Sequence, residues 1–367
     1  FWTDADVADS AATAITGSGA DSFIGYTAAS TSAIIDPLTK VGYRSDATFD
    51  MSCGGNNFFA AGDQAAYVGS LDYTGGSGDD SLTFGNYLAD YGTATFDMSL
   101  GGNNTFVAGE YAAISSGSIV YTGGAGDDSL TFDDYLAYDD GSAIFNMSLG
   151  GKNTFVAGSS AASSSGSLSY TGGSGDDSLT FGNDLAFGGT ATFDMALGGN
   201  NTFVAGTDAA ARGSLSYTGG AGDDSLTFGN ELAIMTGTAT FDMSLGGNNT
   251  FVADDHAASD GGVLAYTGGS GDDSLTFEDN LAQDGGSATF DMSLGGNNTF
   301  IAEDYAASET GTLSYIGGPG ADSLTFGDDL AWDEGTATFD MSRGGNNTFE
   351  AEDLSLIHIS EPTRPSQ

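Results

Sequence analysis

The chain has 367 residues, with 51 Asp and Glu against 6 Lys and Arg, a formal net charge of -45. That balance excludes unassisted binding to nucleic acid or to an anionic membrane face and favours cations as partners. Hydrophobic residues still make up 39% of the chain, with 24 Phe and 15 Tyr, too much apolar material for a disordered acidic tail and enough for a core.

No run of apolar residues is long enough for a transmembrane helix, so no membrane insertion is expected. The sequence opens on Phe1 in the middle of a pattern, and the native protein is expected to continue in both directions. A partial turn motif at Gly19 and Asp21 comes first, followed by a 36-residue step to Gly55. That step marks an insertion at about 26–46, which holds Lys40 and Arg44. Cys53 is alone, so no disulfide framework exists within the chain.

From there an internal repeat fills the chain. The string Gly-Gly-x-Gly-x-Asp-Ser-Leu-Thr-Phe begins at Gly75, Gly123, Gly172, Gly219, Gly268 and Gly317, every 47–49 residues. Between these copies runs a second string, as in Ala94-Thr-Phe-Asp-Met-Ser-Leu-Gly-Gly-Asn-Asn-Thr-Phe-Val-Ala108. Gly78-Asp-Asp-Ser-Leu-Thr-Phe aligns without a gap on Gly102-Asn-Asn-Thr-Phe-Val-Ala, so the true period is about 24 residues, with acidic and amide coils alternating. Turn glycines from Gly19 to Gly345 count fourteen coils.

Within a coil the apolar period is 2, the signature of strands. Ser167-Leu-Ser-Tyr170 and Ser178-Leu-Thr-Phe181 alternate apolar with hydroxyl residues, a Gly-rich turn joins them, and a third leg such as Asn183-Asp-Leu-Ala186 follows. One such unit cannot bury its apolar face, but stacked copies bury a continuous core. The expected fold is therefore all-β, a single parallel β-solenoid over residues 1–353 and a rod on the order of 65 Å long at ~4.8 Å per coil. Inward positions should alternate in size, Leu82 and Phe84 facing Phe106 and Ala108, with Phe181, Phe228, Phe277 and Phe326 forming a ladder at every second coil.

Gly75-Gly-Ser-Gly-Asp-Asp-Ser-Leu-Thr83 resembles the calcium-binding nonapeptide of RTX (hemolysin-type) repeats, which form a parallel β-roll. What that resemblance implies is calcium held by turn carbonyls and the sixth-position carboxylate. On this chain the carboxylates are Asp80, Asp128, Asp177, Asp224, Asp273 and Asp322, with Asp21 in the partial match. Two departures stand out. Only one turn per coil carries the motif, and the intervening coils place Asn57, Asn104, Asn153, Asn201, Asn249, Asn298 and Asn347 at the equivalent position. An Asn oxygen can ligate calcium weakly, so Asn104, Asn201, Asn249 and Asn298 join the candidate set. Equally, Asn can donate to the Asp above and below and form a ladder without metal. Asp80 shares the parity of inward Leu82, so its carboxylate should point under the turn, where a desolvated charge needs a partner. Alternation also relieves repulsion, since two charges ~4.8 Å apart in water repel by ~0.9 kcal/mol.

Two ranks on the second strand, Ser81/Thr83, Thr105/Val107, Ser129/Thr131, Thr154/Val156, Ser178/Thr180 and Thr202/Val204, are almost free of charge. They resemble the ice-binding face of some antifreeze proteins, although Thr, Ser and Val also simply suit an exposed parallel strand. Asn103-Asn104-Thr105 and its copies match the N-glycosylation acceptor pattern, but the turn ladder already accounts for Asn there.

Catalysis needs a local, non-repeating constellation, and the sequence offers little for one. Outside the tail His256 is the sole His, the cations Lys40, Arg44, Lys152, Arg212 and Arg343 are scattered, and the carboxylates recur as ladders. No enzyme is expected. The last segment, Leu354-Ser-Leu-Ile-His-Ile-Ser-Glu-Pro-Thr-Arg364, abandons the repeat and resembles a translated sequencing adapter. Residues 354–367 are therefore expected to be a non-native, disordered tail. The overall expectation is an extracellular bacterial segment, secreted or on the cell surface: a spacer, fibre or adhesin stalk rigidified by calcium. The alternatives are an ice-binding solenoid and a self-assembling surface-layer or filament subunit. Expected partners are calcium ions, with cell-surface glycans, ice or identical copies as further candidates.

Overall fold

The computed structural model describes residues 22–24, 42–44, 46–52, 55–352 and 357–360, the first and last of these as backbone only. Asp21, most of the insertion, Cys53 and most of the terminal segment lie outside the described residues. The chain divides into two compact units, Phe1–Gly182 and Asn183–Gln367. Each is all-β and is a parallel β-solenoid. No helix of the described residues is long and apolar enough to cross a membrane.

Each coil contributes a leading strand before the Gly turn and a trailing strand after it. In the first unit these are exemplified by Ser70–Thr74 and Ser81–Phe84, and in the second by Ser214–Thr218 and Ser225–Phe228. Seven trailing strands fall in each unit among the described residues. Leading strands pair only with leading strands and trailing with trailing, in parallel, so each unit has two sheets. The register steps one period at a time, with Ser81 beside Thr105 and Thr105 beside Ser129. This registry follows from the side-chain period of 2, because a one-residue slip would turn every apolar side chain outward. Ile357–Ser360, within the segment that departs from the repeat, is a strand beside Thr336–Asp340.

The cores are filled by complementary alternation. Leu82 pairs with Phe106 and Phe84 with Ala108; on the leading side Ala191 pairs with Leu215 and Phe193 with Tyr217. All eight are buried. The phenylalanine ladder is denser than expected. Phe228 and Phe277 do not stand one above the other alone, because Phe251 of the amide coil lies between them, with ring centroids 5.4 and 5.5 Å away. Tilted ring contacts of this kind add to area burial.

The third leg is not a strand. In the coil of the first unit that follows Phe84, Tyr87, Ala89 and Tyr91 take φ of 63°, 59° and 53°, the left-handed region, and every described coil repeats the feature. The alternation sends successive N–H groups to opposite neighbours: Tyr87 N–H bonds Glu110 O at 2.9 Å, and Ala89 N–H bonds Ala65 O at 2.8 Å. The inward pair here is Leu-Ala in acidic coils and Ala-Ala in amide coils, as at Leu88-Ala89 and Ala112-Ala113, all buried.

Candidate functional site: the turn ladder

The turn between leading and trailing strands carries every described candidate ligand. In the first unit Asn57, Asp80, Asn104, Asp128, Asn153 and Asp177 stand one above another; in the second, Asn201, Asp224, Asn249, Asp273, Asn298, Asp322 and Asn347 do the same. Asn347 apart, all are at most 3% exposed. Asp80 lies beneath the turn, the orientation its parity with Leu82 requires.

One bonding pattern recurs at every level. Asn104 donates twice to Asp128 Oδ1, from its backbone N–H at 2.8 Å and from Nδ2 at 2.9 Å. In the other direction its Oδ1 accepts the backbone N–H of Asp80 at 3.0 Å. In the second unit Asn249 donates to Asp273 Oδ1 at 2.9 and 3.0 Å and accepts from Asp224 N–H at 3.0 Å. The amide therefore does not donate both ways, as the sequence suggested. It donates to the following Asp and accepts from the preceding one, because a carboxylate offers only acceptors and the free donor on that side is the backbone N–H.

The second carboxylate oxygen points inward. Asp80 Oδ2 accepts Gly76 N–H at 3.1 Å, Asp224 Oδ2 accepts Gly220 N–H at 3.3 Å, and Tyr170 Oη donates to Asp177 Oδ2 at 3.2 Å. Tyr121 and Tyr266 lie near Asp128 and Asp273, but their buried hydroxyls make no hydrogen bond. Oδ2 of Asp128, Asp273 and Asp322 is buried with no hydrogen bond.

Desolvation pushes the Asp80, Asp128, Asp177, Asp224 and Asp322 carboxyls up, against the pull of the Asn and Gly N–H donors, and it raises Asp273 to about 6. Burial first, then the facing carboxylates, holds the Tyr121, Tyr170 and Tyr266 hydroxyls well above their usual range.

Calcium takes six to eight oxygen ligands. Oδ1 of each Asp is occupied by two N–H donors. The orphaned Oδ2 is flanked by glycine N–H, a tyrosine hydroxyl and a methionine methyl. A Cβ at Gly268, for instance, would lie 2.7 Å from Asp273 Oδ2 and 2.6 Å from Met292 Cε. Among the described residues no three His, Cys, Asp or Glu side chains gather to hold a metal ion. The side chains of the turn close a hydrogen-bonded ladder in which every Asp Oδ1 is already spent on N–H donors.

One residue earlier runs an outer rank that the sequence did not single out: Asp79, Asn103, Asp127, Lys152 and Asp176 in the first unit, and Asn200, Asp223, Asn248, Asp272 and Asn297 in the second. It forms a similar side-chain-to-backbone ladder in solvent but runs the other way, the outer Asn donating to the preceding Asp and accepting from the following one. Asp79 Oδ1 accepts Asn103 N–H at 2.7 Å, and Asn103 Oδ1 accepts Asp127 N–H at 2.8 Å. Lys152 replaces the amide once and forms an ion pair with Asp176 at 2.8 Å. The identical 24-residue register was the available signal for this rank. The glycosylation pattern falls on these outer asparagines, as at Asn103, and not on the buried Asn104.

No family of known proteins, curated protein or solved structure matches this chain.

Proposed function

We propose that this chain is an extracellular structural repeat segment, a spacer, fibre or adhesin stalk, and a divergent relative of RTX repeats whose turns are stiffened by an Asp–Asn hydrogen-bond ladder in place of calcium. The observation that supports this most is the ladder itself. Each buried carboxylate spends Oδ1 on the preceding coil's amide, level after level, so the polar groups brace the stack and do not converge on a ligand. Repetitive β-solenoids of this kind are typical of structural proteins, and a catalytic role would need a tuned, non-repeating constellation. Melting in excess chelator and again in millimolar calcium tests the reading. Equal midpoints are expected. A calcium-dependent rise of many degrees, with heat on titration, would return the turns to metal binding.

A second reading has its own support. Outward positions on the trailing strands carry no Asp, Glu, Lys or Arg from Ser81 to Thr180 in the first unit, nor from Thr202 to Thr325 in the second. In a chain of charge -45, a neutral face of hydroxyls and methyls at regular spacing suits an ordered surface such as ice. Inhibition of ice recrystallisation by the purified chain, lost on placing Lys at Thr227 and Thr276, is the expected sign; unaltered crystal growth would remove this reading.

A further inference from the structure

The two turns differ in length. In the second unit the acidic turn spans four residues between Thr218 and Asp223, Gly219-Gly-Ala-Gly222, whereas the amide turn spans five between Asp242 and Asn248, Met243-Ser-Leu-Gly-Gly247. The longer turn closes on itself through Gly246 N–H to Met243 O at 3.2 Å. Its added residue is a leucine. Leu197, Leu245 and Leu294 are 58%, 56% and 55% exposed, and Leu100 and Leu149 of the first unit match them. The backbone does not require leucine there, since Arg343 occupies the same place in a later turn and donates to Ser293 O at 3.2 Å. These leucines therefore stand as a comb, one tooth every second coil, ~9.6 Å apart at two ~4.8 Å steps. The acidic turns between successive teeth expose only the small Ala221 and Ser270, with Ser270 beside Gly246 and Gly295, the glycines that follow Leu245 and Leu294.

Two flanking ranks alternate with the same period. At the end of the leading strand Asp194, Thr218, Asp242 and Thr267 succeed one another; in the outer rank Asn200, Asp223, Asn248 and Asp272 do so. The alternations are out of phase, so amide coils bear the leading Asp and acidic coils bear the outer Asp.

We infer that the leucine comb of residues 183–367 is a pairing surface for a second copy of this chain, set antiparallel and offset by one coil. A two-fold axis across the ridge, midway between an amide and an acidic coil, sets every amide coil against an acidic one. Leucine then enters the gap at alanine or serine, Asp194 and Asp242 meet threonine, and Asp223 and Asp272 meet asparagine. An in-phase arrangement would press leucine on leucine and carboxylate on carboxylate. The single offset satisfies all three ranks at once, and an isologous dimer closes it. No other protein would be expected to share this period and phase. Leucine teeth alone cover less than the ~1,600 Å² of a standard interface, so pairing is weak, with a Kd on the order of tens of micromolar or above. Residual repulsion between acidic surfaces means that salt strengthens it. The surface stands apart from the ladder: pairing requires only the outer turn, whatever the inner carboxylates hold.

Sedimentation equilibrium of the full chain across concentration, at about 0.05 M and 0.5 M NaCl, tests the inference. A monomer–dimer equilibrium that tightens with salt is expected. Leu197→Ser, Leu245→Ser and Leu294→Ser together should weaken it at least about tenfold while leaving the melting midpoint in place, as expected for exposed side chains. A second variant separates tooth-and-gap pairing from general stickiness. Filling the gaps with Ala221→Leu and Ser270→Leu adds apolar surface yet should also weaken pairing. A wild-type chain that stays monomeric, a leucine-to-serine variant that pairs as tightly, or a gap-filled variant that pairs more tightly would each overturn it.

Discussion

The acidic and amide turns occupy the same corner of successive coils, and both are spelled with paired glycines, yet the glycines serve different physical ends. In the amide turn Gly246 and Gly247 take φ of 123° and 85°, a region that a Cβ disfavours. In the acidic turn the corresponding glycines have no such φ. There Gly219 is needed for room: a Cβ would fall 2.6 Å from Met243 Cε and 2.7 Å from Asp224 Oδ2. One turn uses glycine for conformation and the other for volume. The same division holds for charge. The acidic turn carries the buried carboxyl, and the amide turn carries the donors that make it tolerable. Neither coil type would stack well on its own kind, which explains why the unit of repetition is two coils and not one.

Proton linkage gives this comparison its largest expected effect, because six described Asp carboxyls share the perturbation. Each has a folded-state pKa raised above its unfolded value, so the folded chain binds protons that the unfolded chain releases. The stabilisation is fully present below about 4 and is lost as pH rises through the folded value, about 6 for Asp273. From Asp273 alone this is on the order of 2–3 kcal/mol. Urea unfolding followed from pH 7.5 down to pH 5 should show the midpoint rising. A midpoint that falls over that window would mean that the inner carboxyls are charged and well stabilised.

Making the two turns alike is the next test. Asn249→Asp would place three carboxyls in consecutive buried positions and delete the Nδ2 donation to Asp273. A loss of about 3–5 kcal/mol at neutral pH is expected, the usual cost of an uncompensated buried charge. The deficit should shrink at pH 5, where protons can be shared. Chemical denaturation of the variant at both pH values provides the check.

The glycines separate the turns at a smaller scale. Gly247→Ala forces an alanine to φ 85° and drives its Cβ into the Gly222 carbonyl oxygen, backbone against backbone, for about 2–4 kcal/mol. Gly219→Ala meets the tip of a flexible side chain and should cost about 1–3 kcal/mol. Met243→Ala should interact with the second substitution and not with the first. A double-mutant cycle reads this directly: coupling with Gly219→Ala, near-additivity with Gly247→Ala.

How much of this could be read in advance depended on whether a feature follows from side-chain parity. Period, strands, inward Leu and Phe, and the burial of Asp80 all do, since a strand assigns alternate residues to opposite faces. The third leg does not. Nothing in Tyr87 or Ala89 announces a positive φ, which non-glycine residues normally avoid, and only the bonds to coils on either side sustain it there. The direction of the Asn bonds was also hidden. It depends on which backbone N–H faces which side chain, a consequence of register and not of composition. The leucines and the extra residue of the amide turn are both visible as letters, but the exposure of Leu245 and its copies depends on how that turn folds.

The smallest expected effect comes one residue away from one of the largest. Asn248 and Asn249 are adjacent and chemically identical, and both receive an Asp as neighbour in the coils on either side. Asn248 belongs to the exposed outer rank, where its N–H bonds Asp223 Oδ1 at 2.7 Å and its Oδ1 accepts Asp272 N–H at 2.9 Å. Asn248→Asp keeps the backbone donor and an acceptor oxygen, and water solvates the new charge. It loses only the Nδ2 contact to Asp223, at 3.2 Å. The change in stability should therefore stay within about 0.5 kcal/mol, the range of ordinary surface substitutions, and what remains should fade in high salt as repulsion between neighbouring carboxylates is screened. Denaturation of the Asn248→Asp and Asn249→Asp chains side by side isolates desolvation from charge, because the two variants carry the same net charge. Equal losses in the two would mean that the inner and outer ranks share one environment and that burial is not what distinguishes them.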